Sequence, residues 1–221
     1  MKNVTVSGQI YQACPDLHLG IIACDVINSP SNEVLWEEIA KAEDNLRKTL
    51  RMEDIAKRVP VYATRQAYKK LGKDPNRYRP SAEALCRRLL KGYSLYRIDT
   101  LVDLINLISI ETGYSIGGFD SDKIQGDLVL GVGKADELFN GIGRGPLNIE
   151  GLPVYRDLVG GVGTPTSDEE RTKIDLSTTR LFMIINGYSG KTGMEDAISF
   201  SVKLLTNYVL AQNIHTTIIV P

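Results

Sequence analysis

Apolar and polar positions follow two rhythms along this chain. "LHLGIIACDV" (17–26) is a short continuous apolar run, which predicts a buried strand, and "NSPS" (28–31) predicts the turn after it. From Asn32 onward Leu35, Ile39, Ala42, Leu46 and Leu50 recur at helical spacing with Glu and Lys opposite, and Ser31 is the predicted cap. Val59-Pro60 interrupts that pattern. A helix is predicted over 61–71, an exposed loop rich in turn formers over 72–81, and a helix over 81–91 capped by Ser81 and stopped by Gly92. Another helix runs from Thr100 to Thr112 and ends at Gly113. Leu101, Ile105 and Ile108 form its apolar side, while Asp99, Asp103 and Asn106 stack on one face.

Strands are predicted at 115–119, 127–132, 152–160 and 180–187. Thr192 and Glu195 match a capping box for a helix over 194–212, whose buried face carries Ile198, Leu205, Tyr208 and Val209. "HTTIIV" (215–220) reads as a closing β-branched strand. Helices cluster early and strands late, so the fold class is α+β. The 221 residues, 43% of them apolar, suffice for one large core. The division predicted is an N-terminal strand-and-helix extension (1–56) packed on the same core as a main domain (57–221).

Composition narrows the function classes. No apolar run reaches the about 18 residues of a membrane span, and the start lacks a secretory pattern. Three cysteines, Cys14, Cys24 and Cys86, make an odd count without paired spacing; the reading is a cytoplasmic protein with free thiols. His18 and His215 have no ligand-spaced neighbours, so neither a metal nor a cofactor is expected. The net charge of −1 hides an asymmetry. Between Lys57 and Arg97 twelve basic residues face two acidic ones, a surplus of +10, and five of the ten tyrosines lie there too. Cations neutralise phosphate and aromatic faces stack on unpaired bases, so RNA is one reading; a solvated basic helix face is the other.

"GGVGTPTSDEERT" (160–172) is the most unusual stretch. It lacks the Gly-Lys-Ser/Thr of a phosphate-binding loop and the G-x-G-x-x-G of a dinucleotide site. Ser167 and Glu170 match a capping box, so a glycine-led helical turn is the plainer reading. A backbone cradle for a carboxylate, ester or ribose is the other. The Asp103/Asn106 stripe carries the same pair of readings: a buried polar anchor or the wall of a site. No G-x-S-x-G nucleophile elbow is present.

"RRLLKG", "LVDLINLISIETG", "GGFD" and "GTPTSDEERT" together resemble the B3/B4 module of the phenylalanyl-tRNA synthetase beta subunit, and free-standing proteins built on it, from about Val61 to Tyr208. The resemblance implies a curled mixed β-sheet, partly barrel-like, with helices packed outside. It also implies hydrolysis of a wrong amino acid, tyrosine in the synthetase, from the tRNA. The family's Thr-Asn pair is here Ile105-Asn106. Its His-Ala-Phe-Asp is Gly117-Gly118-Phe119-Asp120, and Ile184 stands where a Glu reads the tyrosine hydroxyl. On this resemblance Asn106 is the candidate catalytic residue. Asp103, Gly117, Gly118, Gly161, Gly163, Thr164, Thr166, Ser167, Asp168 and Arg171 are the candidate binders of a small amino-acid-like ligand. Lys69, Lys70, Lys73, Arg77, Arg79, Arg87 and Arg88 are the candidate contacts to tRNA or aminoacyl-tRNA. The alternative is a non-catalytic amino-acid, nucleotide or RNA-binding module with a degenerate site. No ATP-binding motif is recognisable, so a complete synthetase activity is not expected.

Overall fold

A computed structural model describes residues 2–220. Its elements in chain order are β1 (Val4–Val6), α1 (Gly8–Ala13), β2 (His18–Asp25), α2 (Glu33–Thr49), α3 (Val59–Lys70), α4 (Ser81–Leu90), α5 (Thr100–Thr112), β3 (Ser115–Asp120), β4 (Leu128–Val132), β5 (Asn140–Gly141), β6 (Gly145–Pro146), β7 (Pro153–Arg156), β8 (Gly161–Gly163), β9 (Arg180–Gly187), α6 (Met194–Val209) and β10 (Gln212–Ile219). The class is α+β.

The strands form two four-stranded sheets and a small ribbon of β5 with β6, and no barrel closes among the described residues. One sheet, ordered β10-β2-β9-β3, is antiparallel throughout. The other, ordered β1-β4-β7-β8, is mixed, because β1 runs parallel to β4. The first sheet is buried on both faces along β2, β9 and β3, while β10 is partly exposed. In β9, Leu181, Met183 and Ile185 join the core under α2, α4, α5 and α6, while Phe182 and Ile184 join the core shared with the second sheet. This period of two, buried on both sides, is why β2 and β9 read as continuous apolar runs. β2, contributed by the segment before residue 57, is an interior strand between β9 and β10, and α2 packs on α5. The three cysteines are free and buried.

Helix ends differ from the predicted ones: α3 begins at Val59, with Pro60 in its first turn, α6 stops at Val209 and β10 already starts at Gln212, and three caps change. Asn32, not Ser31, caps α2 by accepting from the Leu35 N–H. Pro80 occupies the cap position of α4, and Ser81 makes no side-chain cap. Gly193, in the left-handed region at φ 83°, precedes α6; the predicted Thr192–Glu195 box does not form, and Glu195 pairs with Lys191. The strand predicted over 152–160 is only β7, which ends at Arg156, and the chain then turns into β8 at Gly161–Gly163. Asp157 accepts from the Val159 and Gly160 N–H groups and turns the chain.

Asp103 shows why a polar residue sits on an otherwise apolar α5. Buried at 1% exposure, it accepts from the Ser31 hydroxyl (2.5 Å), the Trp36 indole N–H (2.7 Å) and the Ile98 N–H (3.0 Å). It therefore ties α5 to α2 and to the chain entering each. An Asp103→Ala substitution leaves three donors without their acceptor, so a loss of about 3 kcal/mol is expected. Urea unfolding followed by the fluorescence of Trp36 measures that loss, and a midpoint equal to that of the wild type contradicts the account.

Candidate functional site

A cavity of about 480 Å³ opens between α5, the edge strand β3 and the segment 164–176. Val102, Ile105, Asn106 and Ser109, three and four residues apart, present one face of α5 to it; Gly118 of β3 forms its floor. Leu85, Ile116 and Ile174 make the walls largely apolar. Asn106 of α5 and Asp168 of the 164–176 segment both line the cavity, and among the described residues the Asn106 amide bonds no protein group.

Asp168 is the chemically distinctive group. Its carboxylate accepts from the Gly118 N–H at 3.2 Å. Gly163 makes room for it, and the neighbouring Gly117 and Gly118 make room for the side chains packed around it. A Cβ on Gly163 would lie 2.8 Å from the carboxylate and 2.6 Å from the Phe119 ring; on Gly117 it would lie 2.7 Å from that ring, and on Gly118 2.6 Å from Ile105. Although the residue as a whole is half-buried, its carboxyl lies inward against this wall. Burial pushes its pKa up to about 8, opposed in part by the Gly118 N–H.

Thr164 and Ser167 also border the cavity. The Thr164 hydroxyl, however, is occupied within its own turn. It accepts from the Thr166 and Ser167 N–H groups (3.1 and 3.0 Å) and donates to the Ser167 carbonyl (3.1 Å). The Ser167–Glu170 capping box does not form. Glu169 instead caps a single 3-10 turn at Glu170–Thr172.

Several candidates lie elsewhere. Asp103 is used in the α2–α5 tie and does not line the cavity. Thr166 bonds the buried Tyr68 hydroxyl at 2.8 Å, which fastens the loop to α3. Arg171 does grip a carboxylate bidentately, but that of Asp157, at 3.0 Å for each oxygen. Gly161 makes room for Phe139, and Gly117 and Gly163 make room for Phe119, so these glycines admit aromatic rings rather than a ligand. Ile184 faces the core between the sheets, on the other side of its strand from the cavity. Ser81, Asp99, Lys173 and Asp175 line the cavity without having been singled out as ligand contacts. Asp99 had a legible signal, since it shares the α5 stripe with Asn106; it caps α5 through the Val102 N–H, and burial raises its pKa. Lys173 and Asp175 arrive through an irregular segment that has no periodicity to read.

A second depression, of about 390 Å³, lies on the other side of α4. Arg77, Arg79, Arg87, Arg88, Lys91 and Arg144 line it. The remaining basic candidates stand apart. Lys69 and Lys70 are exposed at the end of α3. Lys73 is buried: its ammonium donates to the carbonyls of Asn148 (3.0 Å) and Glu150 (2.6 Å) and sits over the Tyr78 ring.

The B3/4 domain model matches residues 63–203. No curated protein sequence matches the chain. Among solved structures, an N-terminal fragment of the phenylalanyl-tRNA synthetase beta subunit from Pyrococcus horikoshii is similar, with a TM-score of 0.45 and 15% identity. The similarity covers 98% of this chain and 50% of that fragment, so this chain spans about half of its length. No described helix is long and apolar enough to cross a membrane.

The state of Asp168 has a measurable signature. An unfolded Asp titrates near 3.9 (about that value in peptides), and the folded carboxyl near about 8. Below both values the two states hold the proton alike. Between them only the folded state keeps it, so this group lowers stability as pH rises, and its effect levels off above about 8. The Asp168→Asn variant lacks this term and keeps an acceptor for Gly118. Its melting temperature relative to the wild type should therefore climb across that pH window; a constant difference counts against the raised pKa.

Proposed function

This chain belongs to the B3/4 domain family, and from that premise we propose that its cavity hydrolyses the ester at the aminoacyl end of a mischarged tRNA. One observation carries the reading: Asn106 and Asp168 both line a single, largely apolar cavity, and α4 borders both that cavity and a cationic depression. An aminoacyl ester is already activated, so its cleavage needs an oriented water and a donor for the developing oxyanion. In this scheme the Asp168 carboxylate takes a proton from water as the oxygen attacks the ester carbonyl. The Asn106 amide donates to the oxyanion. The carbonyl–oxygen bond to the terminal ribose then breaks, the ribose oxygen takes the proton from Asp168 to become a hydroxyl, and the amino acid leaves as a carboxylic acid that gives its remaining proton to solvent.

The walls favour an apolar side chain. Ile105 and Gly117 stand where the family motif has Thr and His, and Ile184 faces away, so no side chain from these positions reads a phenol hydroxyl. The amino acid removed is then apolar rather than tyrosine.

A panel of mischarged tRNAs tests the proposal. The protein should deacylate at least one pair, with a rate that rises as pH passes through about 8, where the carboxylate becomes the main form. Asn106→Ala and Asp168→Asn should each lower kcat by about 100-fold or more, and the Asp168→Asn profile should lose that rise. Absence of deacylation above buffer for every pair removes the hydrolytic reading. Thermal stabilisation by an amino acid or tRNA without turnover then assigns a binding module instead.

A further inference from the structure

We propose that the depression outside α4 binds an unpaired RNA strand, with bases stacking beside Arg88 on Tyr93 and Tyr96 and phosphates meeting the surrounding cations. The proposal rests on the reading of the cavity as a site for an aminoacyl end, and it specifies which part of an RNA lies next to it.

The charge here is not internally neutralised. Glu83, at 0% exposure, accepts from Arg87 (2.8 Å) and from Arg65 (2.8 Å), and Arg79 lies 3.9 Å away. One carboxylate thus serves three guanidinium groups. Arg77, Arg88, Lys91 and Arg144, which complete the lining, form no ion pair among the described residues. Such a surplus in a concave surface favours a polyanion.

The aromatic groups narrow the polyanion further. Tyr93 and Tyr96 are 60% and 59% exposed, so their rings are open to a partner. The Arg88 guanidinium lies 3.7 Å from the Tyr96 ring centroid and 5.4 Å from that of Tyr93. Tyr93 lines the depression, and the guanidinium covers one face of Tyr96 beside it, so the stack of cation and rings offers a platform with exposed ring surface. Bases within a duplex stack on one another and offer it no face, whereas an unpaired strand does.

The placement links this platform to the cavity. Ser81 and Leu85 of α4 line the cavity, and Ala84, Arg87 and Arg88 line the depression. Only the thickness of one helix, about 10–12 Å with side chains, lies between them. The turn joining β5 to β6 makes the same bridge, with Ile142 at the cavity and Arg144 at the depression. An unpaired strand on the platform can therefore end at the cavity mouth.

Fluorescence anisotropy tests this with a short labelled RNA free of secondary structure, the same RNA annealed to its complement, and inorganic polyphosphate as competitor. The unpaired strand should bind about tenfold or more tighter than the duplex. Tyr96→Ala should weaken it about fivefold or more, while Tyr96→Phe retains it. Arg144→Ala should flatten the salt dependence by about 0.7 in log–log slope. Equal binding of duplex and single strand, unchanged affinity in Tyr96→Ala, or no RNA binding overturns the proposal. These measurements need no turnover. Wild-type protein that binds unpaired RNA in this way but deacylates nothing removes the hydrolytic reading and leaves this one. Protein that deacylates but does not distinguish strand from duplex removes this one alone.

Discussion

The close approach of residues 161–168 to the edge strand β3 governs this molecule. The Asp168 carboxylate reaches the Gly118 N–H beside Gly163, which has hydrogen where another residue would carry a Cβ; the ring of Phe119 fills the space left at Gly117 and Gly163, and Ile105 that at Gly118. β8 belongs to one sheet and β3 to the other, so this contact also closes the seam between the two layers. It leaves a carboxyl desolvated at the inner end of an apolar cavity, where burial opposes ionisation. Supporting bonds keep the loop in place: Tyr68 to Thr166 from α3, the Ser81 N–H to the Pro165 carbonyl from α4, and the Arg171–Asp157 pair behind it.

α4 organises the charge. Its inner side borders the cavity and its outer side borders the cationic depression, with Glu83 buried between Arg65 and Arg87. A buried carboxylate is tolerated there because guanidinium donors satisfy both of its oxygens. The arrangement also fixes the direction of those arginines and leaves the outer cations to solvent. The basic block of the sequence therefore divides in space. Arg87 and Arg88 share the outer side of α4, Arg65 points inward, and Lys73 is consumed by carbonyls of the loop at 148–150.

Regular elements were legible in the chain because their signal is local. The apolar period of 3.6 located α2, α5 and most of α6, and continuous apolar runs located β2 and β9; these patterns follow from burying one stripe or both faces. Asn106 and the loop at 164–168 were legible as site candidates through the motif resemblance, and they do border one cavity.

Partners distant in sequence were not legible. Ser31, Asp103, Thr166 and Arg171 have the chemistry of caps and ligand contacts, yet each spends its hydrogen bonds on residues brought near by folding: Ser31 and Asp103 on one another, Thr166 on Tyr68, Arg171 on Asp157. A glycine likewise reads the same whether it admits a ligand or a phenyl ring, and Gly117 and Gly163 face Phe119. Side-chain type and spacing thus state what a group is able to bond. Which partner it meets, and whether its charge lies in water or in a dry wall, depends on segments converging from many residues away, and that convergence leaves no periodic mark on the chain.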